Sequence, residues 1–174
     1  MKTLLSRTHL MVLIFSLHFI FINNLSASEN KFAIDQLTAN RLSNTQSDIV
    51  ELAKNKKLIF VDFWASWCEP CKQSFPYYSD LYKKHSSDIL FVGISLDDEI
   101  SDAEAFIKKS TPTFPTYIDL KSASVKKFKI PAIPYLFILN DQLEIIEKIR
   151  GFDKAEKEKI ALIIQKHLGS STKL

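Results

Sequence analysis

Cysteine and glycine are scarce in this chain, and each scarcity removes a class of function. Two cysteines among 174 residues, Cys68 and Cys71, rule out a multi-bridge disulfide scaffold. They also rule out a cysteine-built zinc site, since no further thiolate exists to complete four ligands. His85 and His167 share no ligand spacing and read as exposed or half-buried polar residues at helix ends, so no metal is expected. Three glycines and the lack of any low-complexity tract leave no disordered or fibrous composition. No repeat occurs at solenoid periods. Charge is nearly balanced, with 23 basic against 20 acidic residues, which gives no reason to expect a nucleic-acid partner. The runs Lys126-Lys127 and Lys154 to Lys159 read as solvated faces. No nucleotide or other cofactor motif is visible, so none is expected.

What is present begins with residues 1–28. Lys2 and Arg7 precede an apolar run from Leu10 to Ile22, followed by small and polar residues through Ser28. That order is a secretory signal peptide, with Ala27 or Ser28 before the cut. The run is shorter than the roughly 20 residues that span a bilayer. An uncleaved signal anchor is the alternative, because Leu25 is bulky for a cleavage site. An exported, periplasmic location follows, with membrane contact only through such an anchor. No lipobox cysteine is present.

The remainder suits a single α/β domain. Residues 29–44 read as a polar lead-in, and 45–55 as a short helix with Ile49, Leu52 and Ala53 on one face. Leu58–Trp64 and Ile89–Ser95 are apolar runs typical of strands covered on both faces. Between them Cys71 to His85 reads as a helix on Phe75, Tyr78 and Tyr82, with Pro76 expected to bend it. Ser101 with Glu104 forms a capping box for a helix carrying Ala105, Phe106 and Ile107. Thr116–Ile118 suggests a strand and Ser122–Phe128 a short helix. A hairpin turning at Asn140-Asp141 follows, with Tyr135–Leu139 and Leu143–Ile149 as its strands. Asp153 with Glu156 caps a last helix that puts Ile160, Ile163, Ile164, His167 and Leu168 inward. The sum is a mixed central sheet with helices on both faces.

A bridge enclosing only two residues removes little chain entropy, so Cys68 and Cys71 are a poor brace. As a reactive pair they make sense. Cys68, where strand gives way to helix, should be exposed at the helix N-terminus, whose N–H groups favour thiolate. Cys71, one turn on, faces the same side and is more buried. Pro70 lies where its missing N–H costs little. Asp62 interrupts a buried strand, so burial should raise its pKa. Its bland alternative is a hydrogen bond to a backbone group or a lysine.

Val61-Asp62-Phe63-Trp64-Ala65-Ser66-Trp67-Cys68-Glu69-Pro70-Cys71-Lys72 closely resembles the active-site stretch of the thioredoxin superfamily. Ile133-Pro134-Tyr135 resembles its second hallmark, a cis-proline facing the redox pair. The resemblance implies a thioredoxin fold over residues 45–169, followed by a short tail at 170–174. It also implies a redox-active disulfide between Cys68 and Cys71, with Asp62 moving the resolving cysteine's proton. Trp67, Glu69, Pro70, Ile133 and Pro134 would line the substrate groove. Cys-Glu-Pro-Cys with Phe75-Pro76 is most similar to the exported TlpA/ResA-type oxidoreductases, some of which reduce apocytochrome c. Members serving that pathway carry glutamate before the Phe-Pro pair, where this chain has Ser74, and usually an additional N-terminal hairpin.

The expected function is therefore an exported thiol–disulfide oxidoreductase acting as a reductant. Its partners would be client proteins with disulfides or thiols and a membrane or exported dithiol donor. One alternative is a thiol peroxidase, for which the sequence lacks the required threonine, Ala65 standing three before Cys68. The other is a binding module that has lost turnover.

Overall fold

The sheet grows outward from β2 (Leu58–Trp64), whose seven residues are all buried. A computed structural model describes residues 31–34, 37, 39–45 and 47–169. The signal peptide expected at 1–28 and the tail at 170–174 lie outside them. The remaining strands are β1 (Asn40–Arg41), β3 (Ile89–Ser95), β4 (Thr116–Ile118), β5 (Tyr135–Asn140) and β6 (Ile145–Arg150). The helices are α1 (Ile49–Ala53), α2 (Glu69–His85), α3 (Ile100–Ser110), α4 (Ala123–Lys127) and α5 (Lys154–Leu168). Sheet order is β1-β4-β3-β2-β5-β6. Strands β2, β3 and β4 run parallel, while β5, β6 and β1 join antiparallel. The sheet is thus mixed.

Strand alternation sorts the core into two layers. Leu58, Phe60 and Trp64 face one side with Cys71, Phe75 and Tyr78 of α2, Ala103 and Ile107 of α3, and Ile160 and Ile164 of α5. Ile59, Val61 and Phe63 face the other with Ile49 of α1, and Val125 and Phe128 by α4. Helices cover both faces. The described residues between 31 and 44 carry more core than the polar composition of this stretch suggests. Phe32, Ile34 and Leu42 are all buried, and Phe32 stacks on Phe128. Asn40 and Arg41 pair with Ile118 and Tyr117 as an edge strand.

Several local expectations are revised. The capping box at Ser101 does not form. Helix α3 starts at Ile100 with Glu99 as an N-cap that makes no side-chain bond. Glu104 is taken instead by the N-terminal segment, accepting from the Ser43 N–H at 2.7 Å and from the Ser43 hydroxyl. Its inward residue is Ala103, not Ala105, which is exposed. The hairpin turn is longer than the two-residue form, because Asn140 Oδ1 accepts from Gln142 and Glu144 N–H at 3.0 and 2.9 Å. That delays β6 to Ile145. His167 is exposed on α5, whereas His85 is buried at the end of α2. Burial and the neighbouring Lys84 lower the His85 pKa. The second cap forms, with Asp153 accepting from the Glu156 N–H at 3.0 Å.

Gly93 of β3 is set by close approach. A Cβ there would lie 2.9 Å from Trp64 Nε1, 3.2 Å from Phe114 and 3.3 Å from Thr116, all fully or nearly fully buried. Gly93→Ala is expected to cost roughly 1–3 kcal/mol through overpacking. Thermal denaturation checks this, and an unchanged midpoint would contradict it.

Candidate active site

Strand β2 ends at Trp64, and the next four residues turn into α2. Cys68 is the N-cap of that helix. Its Sγ accepts the Cys71 N–H at 3.3 Å, and its carbonyl accepts the Lys72 N–H at 3.2 Å. The helix N-terminus, with its partial positive charge, is therefore aimed at the Cys68 sulfur. Pro70 sits in the first turn, where no backbone donor is lost. The two sulfurs are joined as a disulfide, with Cα atoms 5.3 Å apart. Cys71 is fully buried. Cys68 is not exposed as expected but only 4% accessible, because it packs into the same apolar layer as Phe75 and Ala65. Its neighbour Trp67 is the residue that projects, at 69% exposure. Trp64 by contrast is wholly buried against Phe75 and Phe106.

Glu69 and Pro70 are exposed beside the pair. Lys72 Nζ lies 3.0 Å from Glu69 Oε2, so the negative charge next to Cys68 has a cation at hand. Ser74 is buried and donates its hydroxyl to the Cys71 carbonyl at 2.9 Å, one turn back along α2. No carboxylate stands at that helix position.

Asp62 supplies a carboxylate from the strand instead. It lies between Phe60 and Trp64 on the face that meets α2, and is fully buried. Its cross-strand neighbours are Gly93 on β3 and Leu136 on β5, and neither has a side chain able to hydrogen-bond. Both carboxylate oxygens are without a hydrogen-bond partner. The backbone or lysine partner weighed from sequence is not there. Burial without compensation raises the Asp62 pKa well above the ordinary carboxylate value. Tyr78, two turns along α2 from Cys71, is also fully buried, and its pKa is raised by burial and then by Asp62.

The Ile133–Pro134 peptide is cis. Pro134 immediately precedes β5, whose first residue Tyr135 pairs with Phe63, near the end of β2 that leads to Cys68. The sheet thus brings Asp62, Cys68, Cys71, Ile133 and Pro134 to one end. A surface cleft of about 550 Å³ lies at the other end, lined by Lys54, Lys57 and Leu143 among others. Sequence reasoning passed over the buried Asp97 and Ser95 and the half-buried Ser66, which form a hydrogen-bonded cluster at the same end as the cysteines. The signal available was Ser95-Leu96-Asp97, two polar residues closing a buried strand.

A family model described as thioredoxin-like matches residues 55–145, which include β2, both cysteines and Pro134. The chain belongs to the thioredoxin-like family. Thiol-disulfide oxidoreductase ResA of Bacillus subtilis is 27% identical over 82% of this thioredoxin-like chain and 81% of its own length. Sporulation thiol-disulfide oxidoreductase A of the same organism is 36% identical over 61% of this chain and 66% of its own. The crystal structure of a thiol:disulfide interchange protein, DsbE, from Chlorobium tepidum superposes with a TM-score of 0.68 at 26% identity. That match covers 75% of this chain and 92% of the other. The mixed sheet with helices on both faces is therefore a thioredoxin fold. With its paired cysteines and these relatives, this thioredoxin-like protein is a thiol–disulfide oxidoreductase.

Proposed function

We propose that the protein is an exported reductant of client-protein disulfides, with Cys68 as the attacking thiol. The observation that carries the reading is Cys68 as N-cap of α2, its sulfur accepting the Cys71 N–H. In the reduced enzyme the Cys68 thiolate attacks one sulfur of a client disulfide. A mixed disulfide forms and the client's other sulfur leaves as thiolate, taking up a proton. Asp62, in its ionised form, takes the Cys71 proton, and the Cys71 thiolate attacks Cys68 Sγ. The second client sulfur then departs as thiolate and takes up the proton that Asp62 held. The client gains two electrons and two protons, and Cys68–Cys71 becomes the disulfide. An exported or membrane-bound dithiol must reduce it again. Trp67 and the Ile133-Pro134 segment flank the attacking sulfur as the surface for an extended client strand.

Export rests on the charge and hydropathy order of residues 1–28. Apocytochrome c is one candidate client, given the likeness to ResA. Ser74 stands where the cytochrome-maturation members carry a carboxylate, so that pathway is only one candidate use of the exchange chemistry. The direction of electron flow is tested by equilibrating the protein with glutathione or dithiothreitol buffers. A reduction potential near about −270 mV is expected, and one near about −120 mV would make it an oxidant and overturn the reading.

A further inference from the structure

Asp97 follows β3 by two residues and is 2% exposed, yet the exchange chemistry above makes no use of it. Its carboxylate is filled by neutral donors. The Ser66 N–H reaches both oxygens at 3.1 Å, and the Ser66 hydroxyl reaches Oδ1 at 2.8 Å. The Ser95 hydroxyl donates to Oδ2 at 2.7 Å, and the Asp97 N–H returns a bond to Ser95 Oγ at 3.0 Å. Ser66 stands in the three-residue link between β2 and the Cys68 N-cap. The same link is held by the Leu96 N–H on the Trp64 carbonyl at 2.8 Å and the Cys68 N–H on the Ala65 carbonyl at 3.1 Å. Through the Asp97 bonds one buried side chain ties the link to the end of β3 at both the Ser66 backbone and its hydroxyl.

We propose that Asp97 is a positioning residue, clamping Ser66 so that Cys68 is seated on the α2 N-terminus with Trp67 turned outward. This rests on Cys68 being the attacking thiol. A seated sulfur keeps the helix N–H groups in line, and a loose one exchanges them for water. Other titratable groups toward this end are Cys71, Tyr78 and the Glu69–Lys72 pair on α2, Asp62 on β2, Asp98 and Glu99 after β3, Asp119 after β4 and Tyr135 on β5. None of them is altered by the variants below.

The test follows iodoacetamide alkylation of the reduced full-length protein against pH, mapped to each cysteine by mass spectrometry, with a thermal melt of every variant. Asp97→Ala is expected to move the Cys68 midpoint up by about one pH unit. It should also slow reduction of a small aromatic disulfide about tenfold at neutral pH. Ser66→Ala should move the midpoint the same way by less. Asp97→Asn, whose amide oxygen still accepts from Ser66, should stay close to wild type. A role through charge alone would instead move Asp97→Ala and Asp97→Asn down together, and that result overturns the clamp. So does a folded Asp97→Ala with an unmoved midpoint. If Asp97→Ala does not fold, an unmoved midpoint in folded Ser66→Ala overturns the clamp equally. Alkylation falling first on Cys71 in the wild type would instead show that the Cys68 reading itself has failed.

Discussion

Cys68→Ser is expected to abolish disulfide reduction, with a loss on the order of 10⁴-fold or more in turnover. A serine hydroxyl at the α2 N-cap keeps the capping bond but is not ionised near neutral pH, so no nucleophile remains. Cys71→Ser should lower multiple turnover comparably for a different reason. Cys68 still attacks, but no internal thiol releases the product, and the enzyme stalls after one encounter. A single-turnover assay separates the two variants: Cys71→Ser should show a stoichiometric burst and Cys68→Ser none. Equal bursts from both would show that the two sulfurs are interchangeable, contrary to the geometry. The fold should survive both changes, since a bridge spanning two residues contributes little to stability.

Asp62→Asn should make the protein more stable and less active. The wild-type carboxyl is fully buried with no partner, and its pKa is raised by burial. Below the ordinary aspartate value of 3.8 the group is protonated in folded and unfolded chains alike, and it costs nothing extra. As pH rises above that value the unfolded chain ionises while the folded one does not, so stability falls. The loss continues up to the raised folded pKa and then levels off. The amide of Asn cannot ionise and escapes this loss. At neutral pH the variant is expected to gain roughly 1–3 kcal/mol. Its melting temperature should rise by several degrees, with the advantage vanishing in acid. Release of product by Cys71 should slow by roughly 100-fold as the proton acceptor is lost. Melts at several pH values together with stopped-flow kinetics check both halves. A variant no more stable than wild type at neutral pH would mean that Asp62 has a partner after all.

How much of this was legible in the sequence depends on how far apart the interacting residues lie. Strands β2, β3 and β4 could be read to the residue, because buried parallel strands are written as mainly apolar, β-branched and aromatic runs, which Asp62 interrupts in β2 without ending it. The cysteine pair, its helix and the cis-proline before β5 lie in short motifs, so the outline of the candidate site was visible too. The isolation of Asp62 was not. It depends on Gly93 and Leu136 arriving beside it, a matter of register that one strand does not reveal. The Asp97 clamp was hidden for the same reason, since Ser66 and Asp97 are 31 residues apart and Asp97 looks like the start of an acidic loop. Ser101 and Glu104 show the reverse error. The local pattern was a sound cap, but Ser43, 61 residues away, took the glutamate. Cys68 itself was read as exposed from its place at a strand end, and packing against its own helix and the β2 layer covers it.

The most direct test of the central claim is to trap the mixed disulfide. Reduced Cys71→Ser protein is mixed with a disulfide-bearing client, quenched with acid and analysed by peptide mass spectrometry. The geometry predicts a covalent adduct through Cys68 in near-stoichiometric yield, dissolved by dithiothreitol. No adduct at Cys68, or an equal adduct at Cys71 in the reciprocal Cys68→Ser protein, would contradict it.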